Sequence, residues 1–339
     1  MKLLVYLIQA DSAYSKKRSI QSGKDELEKH ITKCSGYLKT YQKELKNNGP
    51  LQAVIVAPEY FFSGFNPKGE REGISMSERD QLHVDLIQIS RQNQGLMIIP
   101  GSIFYRDSIS DMNRKRDIFE KTVVSEISTK IHGSDPRLFD YDPSKPHREI
   151  IGELGGLDKD AVIDPCFNEC LLLLNGKHKL YGKKTGYNET RGKDVSQTFF
   201  VPHVGKSTYT FEGYTFGMEI CFDHNNGTLK RLLGPGGDVD FHVVVSDWVN
   251  TNNANMRIVK GGYFLHASTN KKMTKVYTKE DSGSITMVKS KKKDSSHKIF
   301  IIDVADKMSG QELPETGAPG LGIGAFDVGS ARAGLKKVK

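Results

Sequence analysis

Cysteine is scarce in this chain. Cys34, Cys166, Cys170 and Cys221 are the four in 339 residues, too few for a disulfide framework at this length. Cys166 and Cys170 stand at C-x3-C spacing without a second pair, so no zinc site is read there. A reduced, cytoplasmic compartment is the expectation. Long apolar runs are also lacking. None approaches the ~20 residues of a membrane helix, so no membrane partner is expected. The opening MKLLVYLIQA imitates a signal peptide, but its apolar run is brief and Gln9, Asp11 and Ser12 follow at once. A first core strand is the better reading.

Positive charge is present but local. The formal net charge is +8, and nine lysines face three acids between Lys271 and Lys298. Arg332, Lys336, Lys337 and Lys339 follow Gly329. The rest of the chain is slightly acidic. Apart from Tyr277, aromatic residues for base stacking are missing from these stretches. They read as a solvated basic loop and a basic tail, and no nucleic-acid partner is expected. Hydrophobic residues make up 37% of the chain, enough for a sizeable core.

Apolar periodicity predicts strand, helix, strand, helix, strand over the first hundred residues. Residues 2–8 and 52–57 read as buried strands, with 95–104 as a strand pair. Leu27, Ile31, Cys34, Leu38, Tyr41 and Leu45 recur at helical spacing over 24–47. Ser77 with Asp80 resembles a capping box. This alternation argues for an α/β layered fold. Residues 106–165 break the rhythm and read as an insertion, with a candidate helix over 112–131. Hairpins follow, turning at Asn175-Gly176 and Glu212-Gly213. Residues 224–233 and 253–263 read as helices, and 239–248, 263–269 and 298–304 as strands. The expected organisation is one domain over 1–310 and a Gly-rich basic tail over 311–339.

Three points stand apart from ordinary core. Glu59 follows a buried strand and Pro58, where α/β folds place reactive groups. Lys183 and Lys184 follow the strand that ends near Tyr181. Cys221 ends the strand GYTFGMEIC before a helix start, a position that favours thiolate. Singly, each has an ordinary reading: a loop carboxylate, a solvated lysine pair, a small core thiol.

Together they resemble the nitrilase superfamily of carbon–nitrogen hydrolases. VIVAPEYFFSGF (54–65) is similar to that family's strand-Pro-Glu segment. NGKHKLYGKK (175–184) resembles its turn, strand and Tyr-x-Lys segment, which selects Lys183 over Lys184. FGMEICFDHNNGTLKRLL (216–233) resembles its nucleophile segment. VDFHVVVSDW (239–248) resembles its strand ending in Trp, and RIVKGGYFLHASTN (257–270) its later helix-strand that ends in Ala-x-x-Asn.

The resemblance implies a four-layer αββα sandwich with the insertion near 106–165. It implies a Glu59-Lys183-Cys221 triad hydrolysing a non-peptide carbon–nitrogen bond, most often an amide, through a thioester, without metal or cofactor. Nitrile and N-carbamoyl substrates come next. It also implies supporting roles for Glu189, for the Phe222 N–H as oxyanion donor, and for Tyr60 and Trp248 as pocket walls. Family members often oligomerise. Two readings compete: a catalytically silent binding protein of the same fold, and a Cys-His enzyme using His203 or His224 as base.

Overall fold

The computed structural model describes residues 1–9, 19–47, 49–65, 71–106, 164–185, 198–200, 203 and 205–305. Most of the 106–165 insertion, the candidate helix 112–131, Glu189 and the 311–339 tail lie outside them.

Strand β1 (Lys2–Ile8) is apolar at every position after Lys2 because both its faces are covered. Leu3, Val5 and Leu7 enter one core, and Leu4, Tyr6 and Ile8 enter another. Helix α1 (Ile20–Thr40) follows, capped by the Ser19 side chain on the Ser22 N–H. It begins before the predicted Lys24 and breaks at Tyr41 into the short α2 (Gln42–Leu45). Strand β2 (Ala53–Val56) runs parallel to β1. The small ribbon β3 (Gly64–Phe65) with β4 (Arg71–Glu72) and the short β5 (Ile74–Ser75) lead into α3 (Met76–Gln92).

The capping box of α3 is Ser75 with Glu78, not Ser77 with Asp80. Ser75 Oγ accepts from the Glu78 N–H at 3.3 Å, and Glu78 Oε2 accepts from the Ser75 N–H at 2.8 Å. With Ser75 as N-cap, Ser77 and Asp80 already lie inside the helix and cannot form its cap.

Strands β6 (Leu96–Ile99), β7 (Ser102–Arg106), β8 (Asp164–Leu174), β9 (Lys177–Gly182) and β10 (Thr198–Phe200) extend the same sheet. A second sheet is built from β11 (Thr208–Phe211), β12 (Tyr214–Ile220), β13 (Val239–Ser246), β14 (Ile258–Ser268), β15 (Lys275–Lys279) and β16 (Ile285–Met287). Helices α4 (Phe222–Asn225) and α5 (Thr228–Leu233) link β12 to β13. Strands β17 (Lys292–Lys293) and β18 (His297–Asp303) return to the first sheet, where β18 pairs antiparallel with β1.

The two sheets face each other across a shared apolar core. Alternate residues of β1, β2, β6 and β8 meet Phe216, Met218, Ile220, Phe241, Val243, Val245 and Leu265 from the second sheet. Each such side chain contributes about 1.5–3 kcal/mol of burial. Helices α1 and α3 cover the outer face of the first sheet through Leu27, Ile31, Cys34, Leu82, Leu86 and Ile89. The outer face of the second sheet differs from expectation. The helix predicted over 253–263 is a single 3-10 turn at Asn253–Asn255 followed by β14. The β-branched run Ile258-Val259 and Gly261-Gly262 favour strand over helix. The fourth layer among the described residues is therefore thin: α4, α5 and the segment 249–257.

The lysine-rich stretch is also more ordered than a solvated loop. It supplies β15 to β18, and several lysines are engaged. Lys279 pairs with Asp238 at 3.0 Å and Lys291 with Glu44 at 2.8 Å, while Lys292 lies over the Tyr37 ring. No helix among the described residues is long and apolar enough to cross a membrane.

Candidate functional site

Glu59, Lys183 and Cys221 lie at the ends of three strands, and the fold brings those ends together at one edge of the inter-sheet seam. Glu59 follows β2 and Lys183 follows β9, both from the first sheet; Cys221 follows β12 from the second. Asp247, just after β13, completes the group.

The turn carrying Glu59 is held by close packing. Gly101 has φ +82°, and a Cβ there would stand 2.1 Å from the Pro58 carbonyl oxygen. Tyr60 has φ +59°, and its N–H donates to Ser102 Oγ at 3.1 Å. The Glu59 carboxylate is buried and amply donated to. Lys183 Nζ and Asn168 Nδ2 each donate to Oε1 at 3.0 Å, and the Asp247 N–H donates to Oε2 at 2.9 Å. Lys183 is itself only 1% exposed. Two buried charges are tolerable only when paired and hydrogen-bonded in this way.

Cys221 has φ +51° and ψ −107°, a conformation that non-glycine residues adopt at a cost of about 1–3 kcal/mol. Its N–H donates to Val245 O at 2.8 Å, and its carbonyl accepts from the His224 N–H at 3.0 Å. These contacts hold a sharp strand-to-helix turn that presents the sulfur, and Cys221 is half-buried while the other three cysteines are buried. The Glu59 carboxylate, the Lys183 ammonium and the Asp247 N–H all act on the sulfur electrostatically. Burial pushes the thiol up, the Glu59 charge adds to the rise, and Lys183 with the Asp247 N–H only partly offsets it. The resting group is therefore a thiol. The expectation of a lowered thiol from the helix start is not met: burial dominates, the Glu59 charge adds to it, and α4 is a single turn.

Asp223 ties the nucleophile turn to the lysine strand. Its carboxylate accepts from Tyr181 Oη at 2.6 Å, from the Thr185 N–H at 2.8 Å and from the Lys184 N–H at 3.2 Å. Lys183 is thus flanked by backbone gripped from the Cys221 side. Burial raises the Asp223 carboxyl to about 6. Sequence reading overlooked Asn168, Asp223 and Asp247. Asp223 had a signal, since a short acid three residues after the strand end sits where turn N–H groups converge.

The remaining candidates fall in different places. Phe222 opens α4, so its N–H belongs to the first turn beside the sulfur. Tyr60 is buried in a small cluster with Phe104 and Cys166. Trp248 follows Asp247 and is 68% exposed. His224 does not serve Cys221: Nδ1 bonds Glu219 at 2.7 Å, and Nε2 accepts from the Asn252 N–H at 3.1 Å. His203 Nδ1 accepts from the Gly205 N–H.

No protein-family model matches the chain, and no curated protein matches it. Solved structures do share similarity. Saccharomyces cerevisiae Nit3, a member of branch 10 of the nitrilase superfamily, is 15% identical with a TM-score of 0.46, covering 89% of this chain and 90% of that one. XC1258 from Xanthomonas campestris, a CN-hydrolase superfamily protein, is 13% identical with a TM-score of 0.44, covering 89% and 91%. The amidase from Nesterenkonia sp. AN1 is 11% identical with a TM-score of 0.47, covering 89% and 93%.

Proposed function

We propose that this chain is a hydrolase of non-peptide carbon–nitrogen bonds, with Cys221 as nucleophile, Glu59 as general base and acid, and Lys183 as electrostatic partner. The observation that carries the reading is the buried Lys183–Glu59 pair at 3.0 Å, both of whose charges act on the Cys221 thiol. An ion pair buried at a strand-end seam against a strained cysteine is a costly arrangement for a purely structural role.

Chemistry follows from the contacts. Glu59 takes the thiol proton as sulfur attacks the substrate carbon, which suits a thiol whose resting form is neutral. Charge then develops on the substrate oxygen or nitrogen, where the Lys183 ammonium and the Phe222 N–H can meet it. For an amide, Glu59 passes the proton to the leaving nitrogen as the carbon–nitrogen bond breaks, leaving a thioester on Cys221. Water then gives a proton to Glu59, attacks the thioester and releases the acid, and the sulfur regains its proton. Amides are the first expectation, followed by N-carbamoyl amides and nitriles.

The test is ammonia release from a panel of amides, carbamoyl amides and nitriles, with Cys221→Ala as the blank. Turnover of at least one class that disappears in Cys221→Ala is the expected result. Equal turnover by the variant rejects the role of Cys221. A silent, binding-only protein would leave the whole panel untouched and Cys221 unlabelled by thiol-reactive acyl probes.

A further inference from the structure

Behind Cys221, on the outer face of the second sheet, lies a fully buried cluster of one carboxylate and two imidazoles. Glu219 Oε2 is 2.7 Å from His224 Nδ1 and 2.8 Å from His242 Nε2. Its other oxygen accepts from the Leu229 N–H at 2.7 Å. Glu219, His224 and His242 are all 0% exposed. Their ligand atoms lie within 4.8 Å of one another, which is the composition and spacing of a metal site.

The protons argue against a metal. His224 Nε2 accepts from the Asn252 N–H at 3.1 Å, and His242 Nδ1 accepts from the Arg257 N–H at 3.1 Å. A backbone N–H cannot be an acceptor, so each distal ring nitrogen carries a lone pair. In the neutral ring the proton then sits on the nitrogen facing Glu219. A metal-bound imidazole needs the reverse: a lone pair toward the metal and an N–H on the far nitrogen. That N–H would point at another N–H on both sides. The ring-to-carboxylate distances are also those of hydrogen bonds, with no room for an ion between the atoms.

We propose that Glu219 is a positioning residue that holds the two arms of the catalytic site in register. One arm runs from Glu219 through His224 to the turn just after Cys221. The other runs through His242 to the Arg257 N–H and, from His224, to the Asn252 N–H. These amides stand at the two ends of the segment 252–257, which begins five residues after Asp247, whose N–H grips Glu59. Asn255 Nδ2 donates to His224 O at 2.8 Å and ties the same segment to α4 again. A single carboxylate thereby joins the nucleophile's turn to β13 and to the segment 252–257, on the chain that carries Asp247 between them. This deepens the proposed hydrolase reading, and it is tested without any substrate.

Two charged groups act on the Cys221 sulfur, Glu59 raising the thiol and Lys183 lowering it. The readout is the pH midpoint of Cys221 alkylation by iodoacetamide, followed by peptide mass, in full-length wild type, Glu219→Gln and His224→Asn. In Glu219→Gln the new amide cannot accept from all three donors, because one oxygen becomes an NH2. In His224→Asn the side chain keeps a donor near Glu219 and loses the acceptor for Asn252. The clamp predicts that the midpoint falls by about one pH unit or more in both variants as the sulfur leaves Glu59. Labelling of buried Cys34, Cys166 and Cys170 should stay low. A merely structural role predicts the opposite pattern: an unmoved Cys221 midpoint, or equal gains in labelling at all four cysteines. Either result overturns the proposal.

Hydrogen exchange on wild type needs no variant. The Asn252 and Arg257 amides should be protected, though neither pairs with a strand, and exchange at the rate of open loops would overturn the clamp even if both variants fail to fold. Zinc added to wild type should not be retained after dialysis. Stoichiometric retention that is lost in His242→Gln would make the cluster a metal site instead. None of these outcomes depends on turnover, so the clamp and the hydrolase reading fail separately.

Discussion

At Cys221 the backbone and the thiol are both held away from their relaxed states. A positive φ is natural for glycine and strained for any residue with a Cβ. Cys221→Gly should therefore be more stable than Cys221→Ala by about 1 kcal/mol, after allowing for the greater unfolded-state freedom of glycine. Thermal midpoints of the two variants check this, and an alanine variant at least as stable as the glycine one would show that the turn carries no strain. Both should lack turnover. The thiol is raised by burial first and by Glu59 second. Glu59→Gln removes the second cause, so Cys221 should alkylate with a lower pH midpoint than in wild type. Hydrolysis should nevertheless fall by about 100-fold or more, since the proton acceptor is gone. A lower midpoint with retained hydrolysis would remove Glu59 from the role of base.

Between elements, the decisive contacts are the connections at the seam. The link between β6 and β7 supports the Glu59 turn, and Gly101 is the point of closest approach. Gly101→Ala adds a methyl against the Pro58 carbonyl at a backbone conformation that disfavours it. The expected cost is about 2–4 kcal/mol, with loss of activity because Glu59 moves with Pro58. Urea unfolding and ammonia release measure the two effects, and a variant unchanged in both would show the turn to be elastic. The α3 cap is a contrasting case. Ser75→Ala should cost about 1 kcal/mol and leave turnover alone, because the capping box lies outside the site. A drop in turnover at preserved stability would link α3 to the site.

Across the molecule, buried titrating groups make stability depend on pH. His266 is held neutral by burial, with its ionisation lowered to about 3. Its folded value lies below the unfolded one, so the associated stability is complete above the unfolded histidine range near pH 6.5 and is lost as pH falls toward 3. Glu219 has the same sign at lower pH. Burial pushes its carboxyl up, but the two histidines outweigh burial and hold it at about 2. Its contribution is present above about pH 4.5 and declines below it. Asp223, raised to about 6, acts in the opposite sense and softens the decline between about pH 6 and 4. Urea midpoints should fall from about pH 7 to about pH 5, and His266→Gln should flatten that first stage. A wild-type midpoint constant over this range would contradict the buried neutral histidine.

Local features were legible in the chain before it folded. Unbroken apolar runs such as Leu3–Ile8 and Val243–Val245 belong to strands covered on both faces, and that property is readable from spacing alone. Asn175, Gly176 and Gly213 turn where residues tolerant of positive φ are expected to, and Glu212 takes φ +50° in the same kind of turn. Glu59, Lys183 and Cys221 could be marked as strand-end residues of reactive type. What those residues experience depends on tertiary contacts. Cys221 reads as favouring thiolate when only the following helix is considered, yet burial between the sheets raises the thiol, and Glu59, from 162 positions earlier in the chain, adds to the rise. Glu219 and His242 lay in runs read as strands, and His224, weighed as a base for Cys221, opened a segment read as helix. Only the pairing of β12 with β13 gathers them, and only the backbone of 252–257 sets their protons. Hydrophobic pattern is a property of neighbours along the chain, whereas charge state and hydrogen-bond direction depend on neighbours in space. The strand-end cysteine was therefore visible early, and its protonation was settled only by the groups that the two sheets bring against it.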